Sequence, residues 1–189
     1  MRKPLLMTVA CLLAGGQAFA EDLQRPWWRG EWSTTSQVWE FLTSDPGPLV
    51  PDGPATGGMP PLPSTHLYVT PGPGMEWIPV GQTGRIGIWP LSGEMDVIVD
   101  NHWEPNLYKW VWFQITWSPQ HPDEYPIFTE LDPAPGPGDG PRLVQEIPLE
   151  GDWRESTYEW FLRPNPPWEK FTVGGTICVD ELVIDTWCI

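Results

Sequence analysis

Over residues 108–117 the chain alternates with period two: Val111, Phe113, Ile115 and Trp117 fall on one side, and Trp110, Trp112, Gln114 and Thr116 on the other. Successive side chains of extended backbone point to opposite faces, so this pattern predicts a strand with one apolar face and one mixed face. The same spacing, bounded by Gly, Pro, Asn and Asp, predicts strands at residues 35–42, 65–70, 77–80, 85–91, 95–100, 143–149, 157–163, 168–173 and 176–186. In the last of these, Ile177 and Val179 have one parity while Leu182 and Ile184 have the other, so a bulge is expected near Asp180 and Glu181.

No stretch sustains a helical period with caps, and turn signals recur about every 8 to 12 residues, the spacing of a two-sheet fold. The expected architecture is all-β: a single antiparallel, jelly-roll-like β-sandwich of about eight to ten short strands. Gly and Pro punctuate it unevenly. Residues 45–63 hold seven prolines and four glycines, and residues 132–141 hold four prolines and three glycines. Both stretches read as connecting loops, because proline lacks the N–H that a sheet interior requires.

The N-terminus departs from this pattern. Arg2 and Lys3 precede an apolar run over residues 5–13, followed by Ala18-Phe19-Ala20, the order of a secretory signal cleaved after Ala20. The run falls far short of the ~20 residues that span a bilayer. The expected organisation is therefore a signal peptide at 1–20 and one sandwich domain at 21–189, secreted and with no membrane insertion of the mature chain. Removal of the signal leaves eight basic residues against 25 acidic ones, a net charge of −17. Such a surface repels phosphate backbones and anionic headgroups, which argues against nucleic acid and membrane surfaces as partners.

Export permits a disulfide between Cys178 and Cys188. If one strand carries both, they lie ~33 Å apart, whereas a disulfide needs Cα atoms within about 7 Å. A hairpin would have to turn at residues 182–184, which offer no Gly, Pro or Asn. Two unpaired, mostly buried thiols are expected.

Several motifs resemble those of exported bacterial proteins of unknown function that end in a PEP-CTERM sorting tail. They are Pro26-Trp27-Trp28-Arg29-Gly30, Ser33-Thr34 leading to Trp39-Glu40-Phe41, Trp112 with Gln114-Ile115-Thr116-Trp117, Asn165-Pro166 before Trp168-Glu169, and Val179-Asp180-Glu181-Leu182-Val183-Ile184-Asp185-Thr186 with Cys188. The resemblance implies export and a β-sandwich, and nothing about chemistry. It also implies a Pro-Glu-Pro motif, a membrane helix and a basic tail beyond the final cysteine; this sequence ends at Ile189. A released protein and a sequence lacking its tail both fit.

Catalytic signals are sparse. His66, His102 and His121 stand on separate segments without metal-ligand spacing, and no G-x-S-x-G elbow occurs. With 25 carboxylates some pair will lie at glycosidase spacing by chance, so glycoside hydrolysis rests on no specific residues. Asp96, Asp100, Asp180 and Asp185 are calcium candidates by position, but no dense acidic motif joins them, and solvated charge is the plainer reading. No catalytic residue, metal ligand or cofactor is expected.

The composition is unusual in its fourteen tryptophans. Most belong in the core, since an aromatic buries ~150–250 Å². Trp27, Trp28 and Trp32 are expected in a segment docked along the sandwich edge. Two readings of function follow. One is a non-catalytic structural or adhesive component of the cell exterior, with other exported proteins as partners. The other is a polysaccharide-binding module whose strip comprises Trp110, Trp112, Gln114 and Thr116, extended by Tyr158 and Trp160 if the two strands share a sheet. Rings two residues apart on a strand lie ~6.6–7 Å apart and could sit under adjacent sugars. The competing expectation for those tryptophans is a second packed layer, covered by the loop at 132–141.

Overall fold

The computed structural model describes residues 24–101, 108–132 and 140–189. Eleven strands occupy them: β1 (Thr34–Trp39), β2 (His66–Thr70), β3 (Ile78–Val80), β4 (Ile86–Leu91), β5 (Glu94–Asp100), β6 (Lys109–Pro119), β7 (Ile127–Asp132), β8 (Arg142–Pro148), β9 (Arg154–Leu162), β10 (Trp168–Gly174) and β11 (Ile177–Cys188). They form two antiparallel sheets. The larger has seven strands in the order β3-β4-β11-β6-β9-β8, with β1 also paired to β11; the smaller runs β2-β5-β10-β7. The chain changes sheet at each connection from β4 to β8 and again from β9 to β11, which makes the fold a jelly-roll-like β-sandwich.

The inner faces carry the period-two apolar sets. Val111, Phe113, Ile115 and Trp117 of β6, Leu182 and Ile184 of β11 and Trp160 of β9 pack against Val97 and Val99 of β5 and Phe171 and Val173 of β10. The ladder between β11 and β6 shifts register between Val179 and Glu181, the bulge that the parity change predicts. An extra residue there lets Ile177 and Val179 on one side of it, and Leu182 and Ile184 on the other, all reach the core.

Strand β7 was not foreseen. Its register with β10 also slips, between Thr172 and Val173, so that Phe128 and Leu131 both face inward despite opposite parity. A bulged six-residue strand flanked by prolines carries no readable alternation. The loop at 45–63 is more than a connector: Leu49 pairs with Leu67 and Gly53 with Val38, covering the outer edges of β2 and β1.

Cys178 and Cys188 form no disulfide and lie on the same strand, β11, where extended backbone keeps them apart. No described helix is long and apolar enough to cross a membrane. The signal at 1–20, His102 and most of the loop at 132–141 lie outside the described residues.

Candidate functional site

The expected aromatic strip is split between two faces and partly occupied by the protein itself. Strands β6 and β9 are neighbours, but Trp110 pairs with Phe161 and Trp112 with Glu159, whereas Tyr158 pairs with Phe113 and Trp160 with Val111. Tyr158 and Trp160 therefore share the inner face with the aliphatic core. Trp160 is 2% exposed and meets Phe113, Phe128 and Phe171 edge-on at centroid distances of 4.9 to 5.9 Å. Burial pushes the Tyr158 hydroxyl above its ordinary range. The strip is corrected to its β6 half, since a shared sheet was necessary but parity decided the face.

That half lies under the N-terminal segment, which crosses the outer face of the large sheet rather than its edge. Trp112 Nε1 donates to the Gln24 carbonyl at 2.7 Å, and the Gln24 amide donates to Gln114 Oε1 at 3.1 Å. Trp112, expected as a sugar platform, and Gln114, expected to meet sugar hydroxyls, thus hold the chain's own backbone. Trp110 packs against Trp28, which stacks on Trp187; Thr116 is buried. Among the described residues the covering layer comes from residues 24–28; most of the loop at 132–141, the other expected cover, lies outside them.

Beyond this strap the chain turns sharply. Gly30 sits at φ +90°, where a Cβ would lie 2.6 Å from the Gly57 carbonyl oxygen. The turn leaves Trp27 and Trp32 75% and 72% exposed.

A second feature was not legible from spacing. Ser44, Pro46, Val69, Thr70, Pro71, Met75, Glu76, Trp77 and Trp89 line a cleft of about 560 Å³. It is bounded by β2, the edge strand of the small sheet, and by β4 and the residues leading into β3 of the large one. Gly87 of β4, at φ +77°, lets residues 40–41 press against that strand, because a Cβ there would meet the Glu40 and Phe41 carbonyl oxygens at 2.4 and 2.5 Å. The Phe41 carbonyl in turn accepts a hydrogen bond from Trp77 Nε1 at 2.8 Å, fixing that ring in the cleft wall. Trp89 is 3% exposed, and its indole N–H has no hydrogen-bond partner among the described residues. The lining comes from four separate segments, none of which forms a local motif.

A third cluster lies between the sheets at the end where β5 leads to β6. Lys109 Nζ donates to Glu169 Oε1 and to Asn101 Oδ1, and Asn101 Nδ2 donates to Glu169 Oε2 at 3.2 Å. Burial raises the Glu169 carboxyl above its ordinary range, with the Lys109 charge pulling the other way.

The remaining candidates are dispersed. Asp96 accepts from Thr172 and faces Lys170, Asp100 accepts from Ser64, Asp180 pairs with Arg85, and Asp185 with Arg29. Among the described residues no three His, Cys, Asp or Glu side chains converge on a metal-sized site. His66 packs edge-on against Tyr68, and His121 is exposed. Compared with protein-family models, curated proteins and solved structures, the chain matches none.

Proposed function

We propose that this is an exported, non-catalytic adhesive domain that binds a saccharide in the cleft between β2 and β4. The observation carrying this reading is the cleft itself, about 560 Å³, walled by Trp77 and Trp89 and rimmed by Ser44, Thr70 and Glu76. Small-molecule sites commonly measure ~300–1,000 Å³ and combine an apolar lining with a few polar groups that fix orientation. A pyranose ring suits that mixture, with C–H faces to lie on an indole and hydroxyls to meet the rim. Because Trp77 is already tied to Phe41, little side-chain freedom is lost on binding. Glu76 and the net charge of −17 left after signal removal favour neutral sugars over acidic ones.

A glycan array with the purified protein, followed by titration calorimetry of the best glycan, tests the reading. Neutral glycans should be retained, and Trp77→Ala should weaken binding about tenfold or more, ~1.4 kcal/mol, while circular dichroism stays that of the wild type. An array without hits, or unchanged affinity in folded Trp77→Ala, overturns it.

A further inference from the structure

Three groups from three strand ends meet in the buried cluster described above. Lys109 opens β6 on the inner face of the large sheet, Asn101 directly follows β5, and Glu169 points inward from β10, paired with Val99. The side chains of Lys109 and Glu169 are both 0% exposed. An amine, a carboxamide and a carboxyl thus close a ring of mutual contacts in which the amine and the carboxyl are fully buried and the carboxamide partly so. The Asn101 amide is oriented as well: its Nδ2 is held by Asn165 Oδ1 at 3.1 Å and by the Pro166 carbonyl, which turns Oδ1 towards Lys109. Cys188 Sγ adds a weak donor to the same oxygen at 3.9 Å.

We propose that Lys109 and Asn101 join in an intramolecular amide bond, formed by attack of Nζ on Asn101 Cγ with Glu169 as the proton carrier. Lys109 first passes a proton to Glu169, leaving a neutral amine. The amine moves from its position beside Oδ1 to above the amide plane, and its lone pair adds to Cγ while the carbonyl π pair moves onto Oδ1. Glu169 gives its proton to Nδ2 and takes one from Nζ. The bond from Cγ to Nδ2 then breaks, its electron pair leaving on ammonia, and the carbonyl reforms. Ammonia accepts the proton held by Glu169 and departs as ammonium, so the carboxylate is restored. The change is a protonated amine plus a carboxamide giving a secondary amide plus ammonium, with no oxidant, reductant or cofactor.

Two physical terms favour this reaction here and not in water. Burial without solvent penalises the separated charges of the Lys109–Glu169 pair, which favours the proton transfer that frees the amine. Groups held in contact react as if at an effective concentration that reaches ~10⁵–10⁸ M in well-oriented cases. The product would close residues 101–109 into a ring and tie the end of β5 in one sheet to the start of β6 in the other. It stands independently of saccharide binding.

Mass spectrometry of tryptic peptides from the full chain, folded and then denatured, tests the bond. The fragment from Ile86 to Arg142 should appear uncut at Lys109 and one ammonia lighter than its sequence. Glu169→Gln and Lys109→Met should both yield ordinary cleavage or, at position 109 of the methionine variant, a fragment of unreduced mass. Efficient cleavage at Lys109 in folded wild type overturns the proposal. So does an equal ammonia loss in Lys109→Met, which would assign the loss to cyclisation of Asn101 on its own backbone.

Discussion

Arg29 closes on Asp185 in a bidentate pair, Nε to Oδ1 at 2.7 Å and Nη2 to Oδ2 at 2.5 Å, with both side chains essentially excluded from solvent. Asp185 stands on the outer face of β11 beside Trp112 of β6, which Gln24 of the strap caps. The planar guanidinium matches the two carboxylate oxygens, and neighbouring Trp28 stacks on Trp187. The pair therefore anchors the tryptophan-rich segment to the face of the sandwich.

Removing one partner of a buried pair leaves the other charge in a poorly solvated site. Arg29→Met should lower stability by ~3–5 kcal/mol in urea denaturation at neutral pH. The double variant Arg29→Met with Asp185→Leu should recover most of that loss. A single variant within ~0.5 kcal/mol of wild type would contradict the anchoring role.

Trp112 offers a finer probe of the strap. Trp112→Phe keeps an aromatic ring but removes the donation to the Gln24 carbonyl, worth ~0.5–1.5 kcal/mol net. Amide hydrogen exchange should quicken at Gln24 and over the following residues to Glu31, while protection of the β6 and β11 amides stays as in wild type. Uniform loosening of both strands would instead place Trp112 among the packing residues of the sheet.

Adjacent residues of β9 test face assignment. Trp160→Ala should cost ~3–5 kcal/mol, because it empties the aromatic cluster around Phe113, Phe128 and Phe171. Phe161 is 41% exposed and stacks only at the surface, on Tyr108. Phe161→Ala should cost no more than ~1.5 kcal/mol. Melting temperatures of the two variants measured side by side decide the matter; equal losses would refute the assignment.

Glu169 sets a pH dependence whose sign follows from its raised carboxyl. In the unfolded chain the group titrates near 4.5, and in the folded protein at higher pH, so between the two the native state binds more protons. Its contribution is fully present below the unfolded value and is lost as pH rises through the folded one. The stability of wild type relative to Glu169→Gln should therefore decline from about pH 4.5 upwards, as read from urea midpoints at a series of pH values. A relative stability that rises with pH over that interval would reverse the assignment.

Much of the fold was legible because strands half-buried in a sandwich must alternate. Ten of the strands, and the bulge before Glu181, follow from where Val, Ile, Phe and Trp fall. The bulged β7 was hidden because Phe128 and Leu131 do not share a parity. The candidate sites were less legible. Alternation places Trp110 and Trp112 together and Tyr158 and Trp160 together, but it does not say which face of β9 adjoins which face of β6.

By itself the sequence determined the all-β class, the inner face of β6, the separation of Cys178 from Cys188 along one strand and an acidic net charge. These depend on local backbone geometry or on composition, both of which are properties of neighbouring residues. Tertiary structure alone decided that Gln24 would occupy the Trp112 and Gln114 positions, that Trp77 and Trp89 would wall one cleft, and that Lys109, Asn101 and Glu169 would meet in the core. Each of these depends on strand order and register across two sheets. The contact of Gln24 with Gln114 joins residues 90 positions apart, and no periodicity along the chain encodes which distant segments will meet.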